Sequence, residues 1–179
     1  MAALGEPLLM TVAQFDLLPE RKDVLEELHW GHLVTLSRPQ AWHVKLQMKL
    51  TQLLQPMAAE QGYVVVELPF RAVPEYDVRA ADVAVVAKSR WDEANEGYLT
   101  GAPELVIEIL SPSHSKSQIR EYAALCLANG CEEFWVIDHR NKTVAVTKKD
   151  GHSVRYSGGM DVPSNALGEA SIGVDLIFE

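Results

Sequence analysis

The chain is short of cysteine, of positive charge and of long apolar runs, and each shortage removes a class of function. Its two cysteines, Cys126 and Cys131, sit one helix end apart, in neither a zinc-ligand nor a redox spacing. They read as buried thiols of a cytoplasmic protein and not as a disulfide. Lys and Arg number 16 against 25 Asp and Glu, leaving a net charge of −9. Such a surface weakens non-specific nucleic-acid binding, because Lys and Arg make the phosphate contacts. A nucleic-acid site here has to be local, metal-assisted or absent. No apolar run approaches a membrane span. The start, Met1 to Met10, has neither a basic region nor a long apolar core, so no signal peptide is expected. Nor is there a phosphate-binding glycine loop, a nucleophile elbow or a CxxC pair, and a small-molecule α/β enzyme lacks support.

What remains is ordinary for a globular protein: 47% apolar and 23% charged residues in a chain of 179. That length suits one domain, spanning 1–179, with a real core. Two apolar runs of strand length stand out, Ala81–Val86 and Pro103–Pro112. Each holds a carboxylate where a buried strand favours hydrocarbon: Asp82 in the first, Glu108 between Ile107 and Ile109 in the second. If the strands are neighbours in a covered sheet, two like charges meet in a dry place and repel. A divalent cation resolves the conflict, and all-oxygen ligation suits Mg²⁺ or Mn²⁺ better than zinc. The plainer reading stays open beside it, in which Asp82 caps a turn and Glu108 pairs with a Lys or Arg.

Along the chain, Thr11 caps a short helix that Pro19 stops, and Glu27–Leu36 reads as a hairpin around Gly31. A helix is expected over 39–60, with Val44, Leu46, Met48, Leu50, Leu53, Leu54 and Met57 as its apolar face and His43 packed near its start. Gly62 is read as its stop. A strand follows over 63–68, with a second extended piece over 70–73. Lys88–Thr100 reads as a surface loop. Ser115 and Gln118 have capping-box spacing for a helix over 116–129, whose stripe is Ile119, Tyr122, Ala123 and Cys126. Strand 133–138 comes next, and the strand–helix–strand unit implies a parallel crossover. A hairpin joins 143–147 to 153–156, and a last strand is expected over 174–178. The fold class is α/β, a mixed central sheet flanked by helices.

Several stretches then follow one known pattern in order: Met10-Thr11-Val12-Ala13-Gln14-Phe15, the Glu27-x-x-x-Gly31 turn, His43 and Ala-Asp82-Val. Glu-Leu-Val-Ile-Glu108-Ile-Leu-Ser-Pro-Ser113 and Asn-Gly130-Cys-Glu-Glu-Phe-Trp135-Val-Ile-Asp138 continue it. Together they resemble the Uma-two family of putative restriction endonucleases, in the PD-(D/E)XK nuclease superfamily. The resemblance implies a restriction-endonuclease-like core and Mg²⁺- or Mn²⁺-dependent hydrolysis of nucleic-acid phosphodiesters, with DNA the expected substrate. It implies metal ligation by Asp82, Glu108 and the carbonyl of Ile109, with Glu27 reaching in from the amino-terminal segment. A homodimer is expected, since cutting two strands needs two sites.

The departures from the pattern are specific. The signature proline is Ala81, and the lysine two residues after the glutamate is Leu110. The resemblance places that lysine on the following helix, where this chain has Tyr122, with Gln118 one turn earlier. Among nearby cations Arg120 faces away, which leaves Lys116 at the helix mouth, and His114 is a further possible base. Without the lysine, the alternative is a catalytically degenerate nuclease fold serving as a binding or assembly module. Trp30, Trp42 and Trp91 are candidate core or interface aromatics.

Overall fold

The computed structural model describes residues 9–93, 97–112 and 114–179. The amino-terminal segment before Leu9, residues 94–96 of the expected loop and Ser113 of the Glu108 segment lie outside the described residues.

Thr11 caps α1 (Val12–Phe15) through a reciprocal capping box with Gln14. β1 (Leu25–His29) and β2 (His32–Leu36) form the expected hairpin. Its turn residues Trp30 and Gly31 both have positive φ, 51° and 79°, as a tight two-residue hairpin turn requires. Helix α2 (Ala41–Ala58) lies inside the expected span, but its buried face is His43, Leu46, Gln47, Leu50, Leu54 and Ala58. Val44 and Met48, expected on the apolar face, are 39% and 57% exposed. The first turns of α2 lie over a polar part of the sheet, so an imidazole and an amide occupy the inward positions.

β3 (Gly62–Arg71) is one strand where two pieces were expected. Gly62 opens it and does not end the helix. The Val86 carbonyl passes so close that no Cβ fits there. β4 (Arg79–Ala87) follows; α3 (Lys88–Glu93) and β5 (Leu99–Thr100) then occupy stretches read from sequence as loop. β6 (Leu105–Ile109), α4 (Lys116–Ala128) and β7 (Glu133–Asp138) make the crossover unit, with β6 and β7 parallel. β8 (Thr143–Lys148) and β9 (Ser153–Tyr156) form the expected hairpin. β10 (Asp161–Ser164) and β11 (Ala170–Gly173) form a second small hairpin that composition had hidden in a Gly- and Pro-rich stretch. The chain then ends in α5 (Val174–Phe178), where a strand was expected. Four apolar residues interrupted by Asp175 are too short a run to fix a period; here Val174 and Ile177, three apart, both turn into the core.

The central sheet has seven strands in the order β5-β3-β4-β6-β7-β8-β9. One face carries α2, α5 and the β10–β11 hairpin around Leu50, Leu54, Ile107, Trp135 and Ile177. The other carries α4, packed through Tyr122, Ala123 and Cys126 on Phe70, Val106 and Phe134. Both cysteines are buried and free. Among the described residues no helix is long and apolar enough to cross a membrane.

One local irregularity positions everything that follows. Val64, Val83 and Val85 lie in the core under α2, whereas Leu68, Phe70 and Ala81 lie in the core under α4. Side chains of an unbroken strand alternate, so residues 64 and 68 would share a face. The two strands therefore exchange faces between these positions, where Glu67 adopts φ 50° directly across from Asp82. A non-glycine residue in that region is uncommon and marks a site worth inspecting.

Candidate active site

Asp82 and Glu108 come together where the pairing between β4 and β6 stops. The two strands pair from Val83–Ile107 to Val85–Leu105, and Asp82 and Glu108 are the next residues out. There the side chains take over. The Asp82 N–H donates to Glu108 Oε1 at 3.3 Å, and the Ile109 N–H donates to Asp82 Oδ2 at 2.7 Å. Each carboxylate thus satisfies a backbone donor on the neighbouring strand that the ladder no longer reaches. On the other side, the β3–β4 ladder pairs Val66 with Val83 and Leu68 with Ala81 but skips Glu67 and Asp82. The Asp82 carbonyl accepts instead from Gln47 Nε2 at 3.1 Å, and the same nitrogen donates to Glu67 Oε1 at 2.5 Å. His43 Nε2 lies 3.2 Å from Asp82 Oδ2.

Glu27 reaches the same place from the β1–β2 hairpin. The hairpin is tied to the chain entering β4 by a bridge between Leu28 and Val78. This delivers Glu27 Oε1 to the Ala80 N–H at 3.0 Å, while Glu27 Oε2 meets His29 Nε2 at 2.5 Å.

The charges do not balance. Glu108 is 6% exposed; burial first, then the charges of Asp82, Glu27 and Glu67, push its pKa well above the usual carboxylate range. Glu67, though an exposed residue, is lifted by partial burial of its carboxyl, an effect that the Gln47 amide partly offsets. For His43, burial works against the charged form, but hydrogen bonding to Asp82 and the charges of Asp82 and Glu67 outweigh it and raise the pKa. His114 goes the other way: burial lowers it, and the Asp82 charge does not recover the loss. Among the described residues, no Lys or Arg forms an ion pair with Glu27, Glu67, Asp82 or Glu108. The donor set is oxygen-rich and short of positive charge, which fits a hard divalent cation. No group of three His, Cys, Asp or Glu among the described residues is already gathered as a metal cage. A metal here would need the backbone, water or substrate oxygen as well.

The sequence matches the family described as Uma2, putative restriction endonuclease, over residues 12–174. The chain belongs to the Uma2 family. A crystal structure described as a putative nuclease belonging to DUF820, from Anabaena variabilis ATCC 29413, matches with a TM-score of 0.81 and 22% identity. The match covers 94% of this chain and 97% of that one. At that identity it establishes a shared fold. A search of curated proteins found no match.

Within this Uma2 fold the expected acids converge and the expected cation does not. Lys116, the first residue of α4, is exposed and forms no ion pair with either acid among the described residues. Gln118 completes the capping box with Ser115, as its spacing suggested. Tyr122 stands where the lysine was sought, but its hydroxyl donates to the Ala80 carbonyl at 3.2 Å and its ring packs on Phe70 and Phe134. Arg79 lies over that ring, 5.3 Å from its centroid, and is paired with Asp77 and Glu121. Gln47 and Glu67 were not recognised from sequence. The available signals were an amide one turn after His43 on the inward face of α2, and an acid breaking the apolar run Tyr63–Val66.

Proposed function

We propose that this Uma2 protein is a metal-dependent endonuclease that hydrolyses nucleic-acid phosphodiesters, with DNA as substrate and Mg²⁺ or Mn²⁺ as cofactor. The observation that carries this reading is the pair Asp82–Glu108. These are carboxylates on neighbouring strands, each accepting from a backbone N–H of the other's strand, one of them buried, with no Lys or Arg paired to either among the described residues. Asp82, Glu108 and the carbonyl of Ile109 would hold the ion, with Glu27 as a further acid beside them. When bound, such an ion stabilises charge on the phosphate and lowers the pKa of a bound water.

The chain's own groups supply the rest. His114, kept neutral by burial and within the field of Asp82, is the side chain assigned to accept a proton from the attacking water. Lys116, at the mouth of α4, is assigned to an incoming phosphate. Two copies in a symmetric homodimer would bring one site to each strand.

A non-catalytic binding module is the second reading, and one observation favours it: Tyr122 occupies the place of the usual lysine without carrying charge. A plasmid-nicking assay in Mg²⁺ and Mn²⁺ separates the two. Nicking by the wild type should fall by more than about 100-fold in Asp82→Ala and in Glu108→Ala, beyond the range expected for loss of an outer-shell partner. Metal binding without nicking would establish the module instead.

A further inference from the structure

Asp82 is held without the help of its own ladder partner. Its N–H goes to Glu108, its carboxylate receives Ile109 N–H and faces His43, and its carbonyl receives Gln47. We propose that Gln47 is the positioning residue of Asp82: its side-chain amide replaces the missing β3–β4 pairing and so fixes the Asp82 carboxylate at the end of β6. This rests on the metal-site reading above and adds to it a residue that touches neither metal nor substrate.

The amide is 4% exposed and has a single workable orientation. Its nitrogen faces a carbonyl and a carboxylate, both acceptors, and the flipped amide would set oxygen against oxygen. Glu67 locks that orientation from β3, where its left-handed backbone has broken the ladder. His43, one helical turn before Gln47, faces the carboxylate of the same aspartate. Helix α2 therefore grips Asp82 at two points, carbonyl and carboxylate, and Gln47 is the one that orders the backbone. Outer-shell partners of this kind are typically worth about 10- to 100-fold in metal affinity.

The test uses the full chain, Gln47→Leu, and the exchange variant Gln47→Glu/Glu67→Gln. The exchange returns one amide and one carboxylate to the contact between α2 and β3; read at a pH where the carboxylate at position 47 is ionised, it offers the Asp82 carbonyl no donor. Three quantities are read: thermal midpoint, Mn²⁺ affinity by calorimetry, and amide hydrogen exchange at Ile109 in metal-free protein. Gln47→Leu should weaken Mn²⁺ by about 10- to 100-fold and accelerate exchange at Ile109, with Val106 unaffected. The exchange variant should regain the thermal midpoint but neither Mn²⁺ affinity nor Ile109 protection. Wild-type values of both in Gln47→Leu, or their recovery in the exchange variant, would overturn the assignment. A wild type that binds no Mn²⁺ defeats the metal reading, and Ile109 exchange in metal-free protein still decides the role of Gln47.

Discussion

Arg79 and Asp82 stand three residues apart on one strand, each inside a cluster of charge, and the clusters are built on opposite terms. Arg79 is 3% exposed and Asp77 fully buried. The guanidinium meets both Asp77 oxygens at 3.1 and 3.2 Å and Glu121 at 3.1 Å. The Trp30 backbone and indole N–H groups complete the two carboxylates. Burial works against the Arg79 charge, but Asp77 and Glu121 more than offset it, so its pKa moves up. Burial also lifts Asp77, against the pull of the Arg79 charge and its hydrogen bonds. That cluster is complete within the protein. Around Asp82 four acids gather whose only ion-pair partners among the described residues are imidazoles, and a buried carboxylate is driven toward its neutral form. A closed network ties the β1–β2 hairpin, β4 and α4 together, whereas an open one leaves room for a cation from outside.

The contrast breaks most visibly at Arg79. Arg79→Met strands Asp77 without its partner and should cost about 3–5 kcal/mol of stability. For a domain of this size that lowers the thermal midpoint by roughly 6–20 °C. Removing an acid from the open cluster should have a smaller effect on stability and a larger one on metal. If Arg79→Met melts like the wild type, the closed cluster is not what holds the hairpin.

The next largest effect is a dependence on pH. Because Glu108 sits well above its ordinary value of 4.5 when folded, the metal-free fold holds that proton more tightly than the unfolded chain does. Its contribution is fully present below about pH 4.5 and is lost as pH rises through the folded value. Denaturation of metal-free protein across that window should show falling stability, and Glu108→Gln should remove the slope. A slope that persists unchanged in Glu108→Gln would assign it to other groups. The smallest effect is at Tyr122. Tyr122→Phe removes one hydrogen bond to Ala80, worth about 1 kcal/mol, and should leave Mn²⁺ affinity untouched. Lost affinity would mean that the phenol belongs to the open cluster.

Much of this was legible in the residues. Apolar runs bounded by turn residues placed β4 and β6, and the misfit carboxylates within them marked the pair that the fold brings together. The capping residues located the starts of α1 and α4, though α1 ends at Phe15, short of Pro19. What could not be read depends on tertiary contact. The inward face of α2 runs through His43 and Gln47 because the sheet beneath is polar, so periodicity alone assigned Val44 and Met48 to the core. Glu67 joined the site through a local reversal of faces, which no alternating pattern encodes. The final helix failed for length: a five-residue segment with four apolar residues carries too little periodicity to choose between strand and helical turn. Position in sequence nominates Lys116, and the fold leaves it exposed without an ion pair to the acids among the described residues.

The most direct test of an open acid cluster is a calorimetric titration of Mn²⁺ into wild type, Asp82→Ala, Glu108→Ala and Arg79→Met, below the melting temperature of each. Binding should be present in the wild type and in folded Arg79→Met, and absent in both acid variants. Equal binding by all four proteins, or none by the wild type, would contradict the claim that Asp82 and Glu108 form the seat of a cation.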